Sequence, residues 1–226
     1  MNAATAGGPK VTLTFDNGPD PQGTTAAVLD LLLERNCKAT FFATGRQLEL
    51  PGARALAERA HAEGHWIGNH TFNHATIFGD SADAELPARE IGATQVLLAG
   101  IAHPGKLFRP YGGGIEPGPG LLSATAIDYL VQGKYSLVLW NCVPRDWEGT
   151  FEWVDRCIDD VLTRSWSVIV MHDLPAGGTK YLALLLDRLD ALGASVVQEF
   201  PAQCVPICEG RVQGDVRSLC RPAQAD

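Results

Sequence analysis

Residues 11–19 read VTLTFDNGP, a short apolar run that ends in Asp16 and Asn17 and is followed at once by Gly18 and Pro19. A run of this length bounded by Gly and Pro is typical of a β-strand. The Asp16 carboxylate is therefore expected at the tip of the strand, in a loop. In barrel-like α/β folds the loops at the carboxyl ends of the strands are where chemistry takes place.

The rest of the chain repeats short apolar runs separated by longer helical patterns. Predicted strands are residues 11–15, 39–43, 66–69, 107–108, 137–140, 168–171 and 195–200. Helices are predicted at residues 24–35, 53–63, 83–102, 120–131, 153–163 and 180–192. Thr24 or Thr25 is the expected N-cap of the first helix. This β-α repeat predicts a parallel sheet with crossover helices, either open or closed into a barrel.

Length and charge limit the possible classes of function. The 226 residues, 46% of them hydrophobic, suit one large domain. We predict an N-terminal segment at 1–9, the domain itself at 10–200, and a C-terminal extension at 201–226 packed on that domain. The net charge of -8 argues against nucleic acid or an anionic membrane as the main partner.

Targeting signals are not evident in the sequence as given. It contains no apolar run of about 18 residues, so no membrane span is predicted. Residues 1–8 show neither the basic start nor the apolar stretch of a signal peptide, and we expect a cytoplasmic protein. An exported chain without its leader would look the same. Oligomeric state leaves no trace in the sequence.

The six cysteines form no C-x-x-C pair. Scattered buried thiols are the first interpretation for a cytosolic chain of this size. A disulfide in the tail is the alternative, with a cysteine-only zinc site as a third possibility. The residues in that tail are Cys204, Cys208 and Cys220.

Two histidines, His70 and His74, stand four residues apart after the apolar run 66–69. In a helical turn this spacing puts both rings on one face, where they can bind a single metal ion. Their place at a strand end, like that of Asp16, strengthens this hypothesis. The other histidines are interpreted as packing, surface or loop residues: His61, His65 and His103.

Three further segments follow or end apolar runs, namely FRPYG at 108–112, DW at 146–147 and VMH at 170–172. Together with TFDNGP at 14–19 and HTFNH at 70–74, they resemble in order the five motifs of the polysaccharide deacetylase family. This family (NodB homology, carbohydrate esterase family 4) contains metal-dependent N- and O-deacetylases. The resemblance covers residues 10–200 and implies a distorted (β/α) barrel with about seven parallel strands.

The resemblance also implies the roles of individual residues. Asp16 would be the general base, oriented by Arg109, and His172 the general acid, supported by Asp146. A backbone N–H at or near Tyr111 would donate to the oxyanion. Trp147 would line the site, and Val170 would pack near the acetyl methyl group. Asp173 is interpreted as a cap or turn residue.

Asn17, His70 and His74 would be the metal ligands, with zinc as the default ion and cobalt, nickel or manganese as alternatives. Here the chain departs from the family, which has an Asp at the position of Asn17. A neutral amide oxygen still ligates, but it should hold a divalent ion more weakly and leave it a stronger Lewis acid. A second departure is that Arg109-Pro110-Tyr111-Gly112 is one proline shorter than the family pattern, so the oxyanion donor is the N–H of Tyr111 or of Gly112.

The expected function is removal of acetyl groups from N-acetylated, or O-acetylated, sugars of a polysaccharide or oligosaccharide. The mechanism implied by the resemblance is metal-activated water with an Asp base and a His acid. Asn17 keeps two alternatives open. One is a metal-independent amidohydrolase of a small ureide or amide, and the other is a catalytically silent glycan-binding domain.

Overall fold

Alternating side chains in the first strand face either the main hydrophobic core or the interior of the barrel. In β1 (Lys10–Asp16), the side chains of Val11, Leu13 and Phe15 join the main hydrophobic cluster. The intervening Thr12 and Thr14 are equally buried and lie on the other face, in line with Asp16. One face of the strand thus carries a row of polar side chains that ends at Asp16, the candidate catalytic residue.

The computed structural model describes residues 8–177 and 179–222. Gly178 lies outside the described residues, as do residues 1–7 of the predicted N-terminal segment and 223–226 of the predicted C-terminal extension. The strands after β1 are β2 (Thr40–Ala43), β3 (Trp66–Asn69), β4 (Leu107–Phe108), β5 (Ser136–Leu137), β6 (Trp166–His172), β7 (Ser195–Val197), β8 (Ile207–Cys208) and β9 (Arg211–Val212). The α-helices are α1 (Thr24–Glu34), α2 (Gly45–Leu48), α3 (Ala53–Ala62), α4 (Ala93–Leu97), α5 (Ala124–Gln132), α6 (Glu152–Leu162) and α7 (Leu182–Ala191). A π-helical turn, Ala88–Gly92, leads directly into α4.

These strands form one sheet in the order β6-β1-β2-β3-β4-β5-β8-β9, with β7 paired to β1 beside the start of β2. The pairs from β6 through β5 are parallel, and β8 and β9 add an antiparallel hairpin. After β5 the chain makes a parallel bridge between Cys142 and Ile169 of β6, which brings the two ends of the parallel part together. The prediction of a distorted barrel with about seven parallel strands is confirmed.

The main hydrophobic core lies between the sheet and four helices. Residues of α1, α3, α6 and α7 pack against the outward side chains of β1, and Trp153 of α6 is fully buried there. No helix among the described residues is long and apolar enough to cross a membrane.

Several predicted boundaries are wrong. The N-cap of α1 is Gly23 at φ 122, not Thr24 or Thr25, since Thr25 is buried and its hydroxyl donates instead to the Asp173 carboxylate. The predicted helix at 83–102 is regular only over the π-helical turn and α4. β5 stops at Leu137 rather than residue 140, because the N–H of Leu139 turns to the carbonyl of Cys204 in the tail.

All six cysteines are described and are free thiols. The interpretation as buried thiols holds for Cys142, Cys157 and Cys204, the other three cysteines are half-buried, and no disulfide joins the three cysteines of the tail. Cys142 and Cys157 lie closest, with their sulfur atoms 4.0 Å apart in the core. The neighbouring Cys157 and burial hold the pKa of Cys142 well above its usual range, and burial raises the pKa of Cys204 to about 11. Such thiols are unreactive at neutral pH.

Gly68 of β3 offers a test of how tightly the barrel is packed. A Cβ added there would lie 2.5 Å from Cδ1 of the buried Phe42 ring. We expect Gly68→Ala to destabilise the protein by about 1–3 kcal/mol, because the ring must move within a packed interior. The free energy of unfolding from urea titration measures this. The matched control is Gly118→Ala, where a Cβ would meet nothing within 4 Å and the change should stay within about 0.5 kcal/mol. Equal effects in the two variants would contradict the interpretation.

Candidate active site

The two residues expected to move protons stand side by side. Asp16 ends β1 and His172 ends β6, and the two are directly paired in the parallel register of these strands. Both line an open cleft of about 250 Å³ at the carboxyl ends of the strands. The cleft also collects the predicted site residues His74 and Tyr111. Strand ends, rather than sequence proximity, therefore bring the candidates together.

Arg109 fixes the position of Asp16 from inside the barrel. Its side chain is fully buried, and Nη1 donates both to Asp16 Oδ1 (2.8 Å) and to Thr14 Oγ1 (2.7 Å). The guanidinium carbon lies 4.2 Å from the centre of the Phe42 ring. The ion pair uses one nitrogen of the guanidinium and is therefore not bidentate. Thr14 shares that nitrogen.

The charge state of Asp16 follows from these neighbours. Burial acts to raise its pKa, but the charge of Arg109, with further contributions from His70 and His172, outweighs burial and holds the pKa below its ordinary value. Asp16 is thus ionised at neutral pH while only 4% exposed. An ionised, positioned carboxylate beside a cleft can accept a proton.

His70 and His74 come together through a loop instead of the helical turn that their spacing suggested. The loop after β3 turns through left-handed residues, Thr71 at φ 67 and His74 at φ 53. The two imidazole centroids lie 4.8 Å apart, and the ring of Tyr111 lies 4.3 Å from that of His74. The predicted proximity holds, but its local structure is different.

Hydrogen bonding leaves His70 ready to bind a metal ion. Its Nδ1 lies 2.8 Å from the carbonyl oxygen of Arg109. Because a carbonyl only accepts, Nδ1 carries the hydrogen and Nε2 keeps its lone pair, 3.6 Å from Asp16 Oδ2. Burial lowers the pKa of His70. Burial, reinforced by His70, lowers that of His74 to about 3. Both rings are neutral at pH 7, the form that ligates metals.

Asn17 supplies the third candidate ligand. It lies at φ 78, a left-handed conformation that Asn tolerates better than most residues. Its Oδ1 is buried and has no hydrogen-bond partner in the described part of the chain. Asn17 and His74 together line a pocket that adjoins the main cleft, and His74 lines both.

These donors fit a divalent cation. A buried amide oxygen without a partner costs free energy, and a metal ion would satisfy it. Within residues 8–177 and 179–222 no three His, Cys, Asp or Glu side chains form a group that could hold a metal. An ion held by His70 and His74 would need a further ligand such as Asn17, and two neutral rings with a neutral amide predict a weaker site than one that includes a carboxylate.

Asp146 holds His172 at two points. Its Oδ1 lies 2.7 Å from Nδ1 of the imidazole, and its Oδ2 accepts the backbone N–H of His172 at 2.8 Å. Burial lowers the pKa of His172, but the hydrogen bond to Asp146 and the charge of that carboxylate outweigh burial and raise the pKa above its ordinary value. Trp147 packs edge-on to the imidazole at 5.3 Å and is 47% exposed. His172 can therefore carry a proton at neutral pH.

Two residues that follow Arg109 are the candidates for a backbone oxyanion donor. Tyr111 and Gly112 both line the cleft, and among the described residues neither N–H donates a hydrogen bond. Gly112 adopts φ 92, and a Cβ there would lie 2.7 Å from a side-chain carbon of Ile77. Both N–H groups are therefore uncommitted and remain candidates for donation to a substrate oxygen.

Sequence reasoning missed two contributors to the site. The sequence pattern predicts Thr14 only as a strand residue. Its spacing of two from Asp16 indicates that both side chains lie on the same face of the strand. Asp173, interpreted as a cap or turn residue, accepts the N–H of Gly18 (3.0 Å) and the hydroxyl of Thr25 (2.6 Å). It thereby ties the end of β6 to the loop that carries Asn17. Burial raises the pKa of Asp173 to about 6.

Comparisons with known proteins identify the family of the chain. A family profile described as polysaccharide deacetylase matches residues 3–120. The chain is 34% identical over 188 residues to a peptidoglycan-N-acetylglucosamine deacetylase of Bacillus cereus, which covers 81% of this chain and 62% of that protein. It is 33% identical over 169 residues to a chitooligosaccharide deacetylase of Azorhizobium caulinodans, with 72% and 73% covered. The chain thus spans less than two thirds of the Bacillus cereus relative and most of the second.

Solved structures show the same fold. The chain is similar to a family 4 acetyl xylan esterase from Clostridium thermocellum in complex with a cobalt ion, at 28% identity and a TM-score of 0.68. That match covers 83% of this chain and 86% of the esterase.

The contact between Asp146 and His172 predicts a measurable titration. In Asp146→Asn the imidazole keeps its burial but loses the charge that favours its cationic form, so its pKa should fall below that of the wild-type residue. NMR titration of the His172 ring measures this directly. Asp159→Asn, an exposed change of the same charge on α6, should leave the His172 titration unchanged. A His172 pKa that is equal in wild type and Asp146→Asn would show that the carboxylate does not support the ring.

Proposed function

The chain belongs to the polysaccharide deacetylase family of hydrolases, and from that premise we propose that it removes acetyl groups from N-acetylated sugars of an oligosaccharide or polysaccharide. The observation that carries the proposal is the pairing of Asp16 and His172 at the ends of adjacent strands. Asp16 has a lowered pKa and His172 a raised one. One is a base and the other an acid at the same pH, as amide hydrolysis requires.

In the proposed reaction each residue has one task. Asp16, held by Arg109, accepts a proton from the water that attacks the acetyl carbonyl. The N–H of Tyr111 or Gly112 donates to the developing oxyanion, and such a donor contributes about 3 kcal/mol. His172, kept protonated by Asp146, gives its proton to the departing amine. The products are acetate and a free amino sugar, and an acetyl ester would use the same groups.

Asn17, His70 and His74 would hold a divalent cation beside Asp16, with zinc as the first candidate. When bound, the ion supplies Lewis acidity, which polarises the acetyl carbonyl and makes water more acidic. The relative solved with cobalt supports a divalent ion at this kind of site. The neutral ligand set leaves more of the positive charge of the ion for the substrate.

The shape of the cleft supports a sugar substrate. It is open, and the half-exposed Trp147 and the exposed Ile115 line it together with Trp140. Aromatic faces of this kind pack well against the apolar faces of sugar rings. The relatives act on chitooligosaccharides and on N-acetylglucosamine of peptidoglycan, as their names state. We propose an N-acetylglucosamine unit of such a glycan as the substrate.

The first test is acetate release from N-acetylated chitooligosaccharides by chelator-stripped protein, with and without added zinc. We expect release that requires zinc, and we expect Asp16→Asn to lower it by about 10²–10⁴-fold, the usual contribution of a general base. Release that ignores both chelator and zinc would instead favour the metal-independent amidohydrolase. Glycan binding without release at any zinc concentration would favour the silent binding domain.

Asn17→Asp tests the metal site separately from activity. A carboxylate at position 17 adds a negative ligand, so we expect the dissociation constant for zinc to fall by at least about ten-fold. Isothermal titration of the metal-free protein measures this. Asn36→Asp is the matched control, since Asn36 also has a positive φ (49) but lies at the exposed end of α1. Equal zinc affinity in wild type and Asn17→Asp would remove residue 17 from the ligand set.

A further inference from the structure

A buried carboxylate outside the cleft contacts the loop that carries His70 and His74. Glu90 is 5% exposed. Its Oε2 accepts the backbone N–H groups of Phe72 (2.9 Å) and Asn73 (2.8 Å), and its Oε1 accepts the side-chain amide of Asn73 at 2.7 Å. All three donors belong to the four residues that follow His70.

Both oxygens of Glu90 act as acceptors toward these partners, the role for which a carboxylate side chain is suited. No arginine, lysine or histidine in the described part of the chain forms an ion pair with it. A buried carboxylate without a cation is costly unless it is well hydrogen-bonded. Here the donors come from residues 70–74, which we call the histidine loop. Burial of the carboxylate therefore depends on the conformation of this loop.

The π-helical turn Ala88–Gly92 brings both Glu90 and the carbonyl of Ile91 to this loop and the strand before it. The carbonyl of Ile91 accepts the side-chain amide of Asn69 at 2.9 Å, and the other end of that side chain accepts the N–H of Thr71 at 3.1 Å. A Cβ on Gly92 would lie 2.5 Å from the Tyr129 hydroxyl, so the helix is closely seated on α5. Wide helical turns of this kind are frequent at functional sites.

The loop is held from its other edge as well. The N–H of Gly45 donates to the carbonyl of Thr71 (3.0 Å), and the N–H of Arg46 donates to that of Phe72 (2.9 Å). Between these contacts Thr71 adopts φ 67, which is unfavourable for a β-branched residue. A conformation of that kind persists only where its surroundings impose it.

We infer that Glu90 is a positioning residue for metal binding: its carboxylate holds residues 71–74 so that the His74 imidazole stays beside His70. The metal part of this inference rests on the proposed function, whereas the ordering of the loop does not. Glu90 acts through the backbone of the loop and is not a ligand itself.

The experiment uses Glu90→Met, which keeps the length of the side chain but removes both acceptors, and Glu90→Gln, which retains one. Two readouts are taken on the metal-free protein: NMR amide hydrogen exchange, and the dissociation constant for zinc by isothermal titration. For Glu90→Met we expect exchange at Phe72 and Asn73 to accelerate by about ten-fold and zinc binding to weaken by about 10–100-fold. The effects of Glu90→Gln should be intermediate. Exchange in β1 and β6 should stay slow, which separates loop release from global unfolding.

The control Glu85→Gln removes the same charge from the exposed segment just before the π-helical turn and should change neither readout. Unchanged exchange at Phe72 and Asn73 in Glu90→Met would overturn the inference. Faster exchange with unaltered zinc affinity would also overturn it, because Glu90 would then be merely structural. If the wild-type protein binds no zinc, the proposed metal site fails, and slow loop exchange in Glu90→Met would reject the positioning role independently.

Discussion

The site is organised around one buried cation, the guanidinium of Arg109. It lies inside the barrel with no exposed surface, and its contacts join separate parts of the sheet. Nη1 donates to Thr14 and Asp16 of β1, while the backbone carbonyl of Arg109 accepts from His70 after β3. Isolated burial of such a charge would be very unfavourable, so Asp16 must stay ionised beside it. The ionised candidate base therefore stabilises the fold in addition to its proposed role in catalysis.

The same rule, that a buried charge must be compensated, explains how the loops around the cleft are kept in place. Glu90 compensates its charge with N–H groups of the histidine loop. Asp173 does so with the N–H of Gly18 and the hydroxyl of Thr25. Each carboxylate lies behind the site and binds backbone that carries a candidate metal ligand. Hydrogen bonds to backbone fix the loops without occupying the space in which a substrate must fit.

The local pattern of the sequence was sufficient to predict where the strands end. It predicted some helix ends wrongly. The apolar runs located Asp16 and His172 at the ends of their strands and His70 and Arg109 directly after theirs, because side-chain alternation and turn chemistry act over a few residues. The predicted N-cap of α1 was wrong, since the hydroxyl of Thr25 donates to Asp173, 148 residues away in the chain. The region 83–102 has helical periodicity, but nothing in that periodicity indicates a π-helical turn.

The sequence by itself determined the β-α order, the side chains at the strand ends and the departure from the family at Asn17. Only the tertiary structure decided how those side chains meet. It showed a left-handed loop, instead of a helical turn, between His70 and His74. It also showed that Arg109 contacts Asp16 through one nitrogen, and that Glu90 and Asp173 bind the backbone of the loops from behind the site. The physical reason is that these contacts join residues as far as 155 positions apart, and they depend on strand order and register, which no local periodicity specifies.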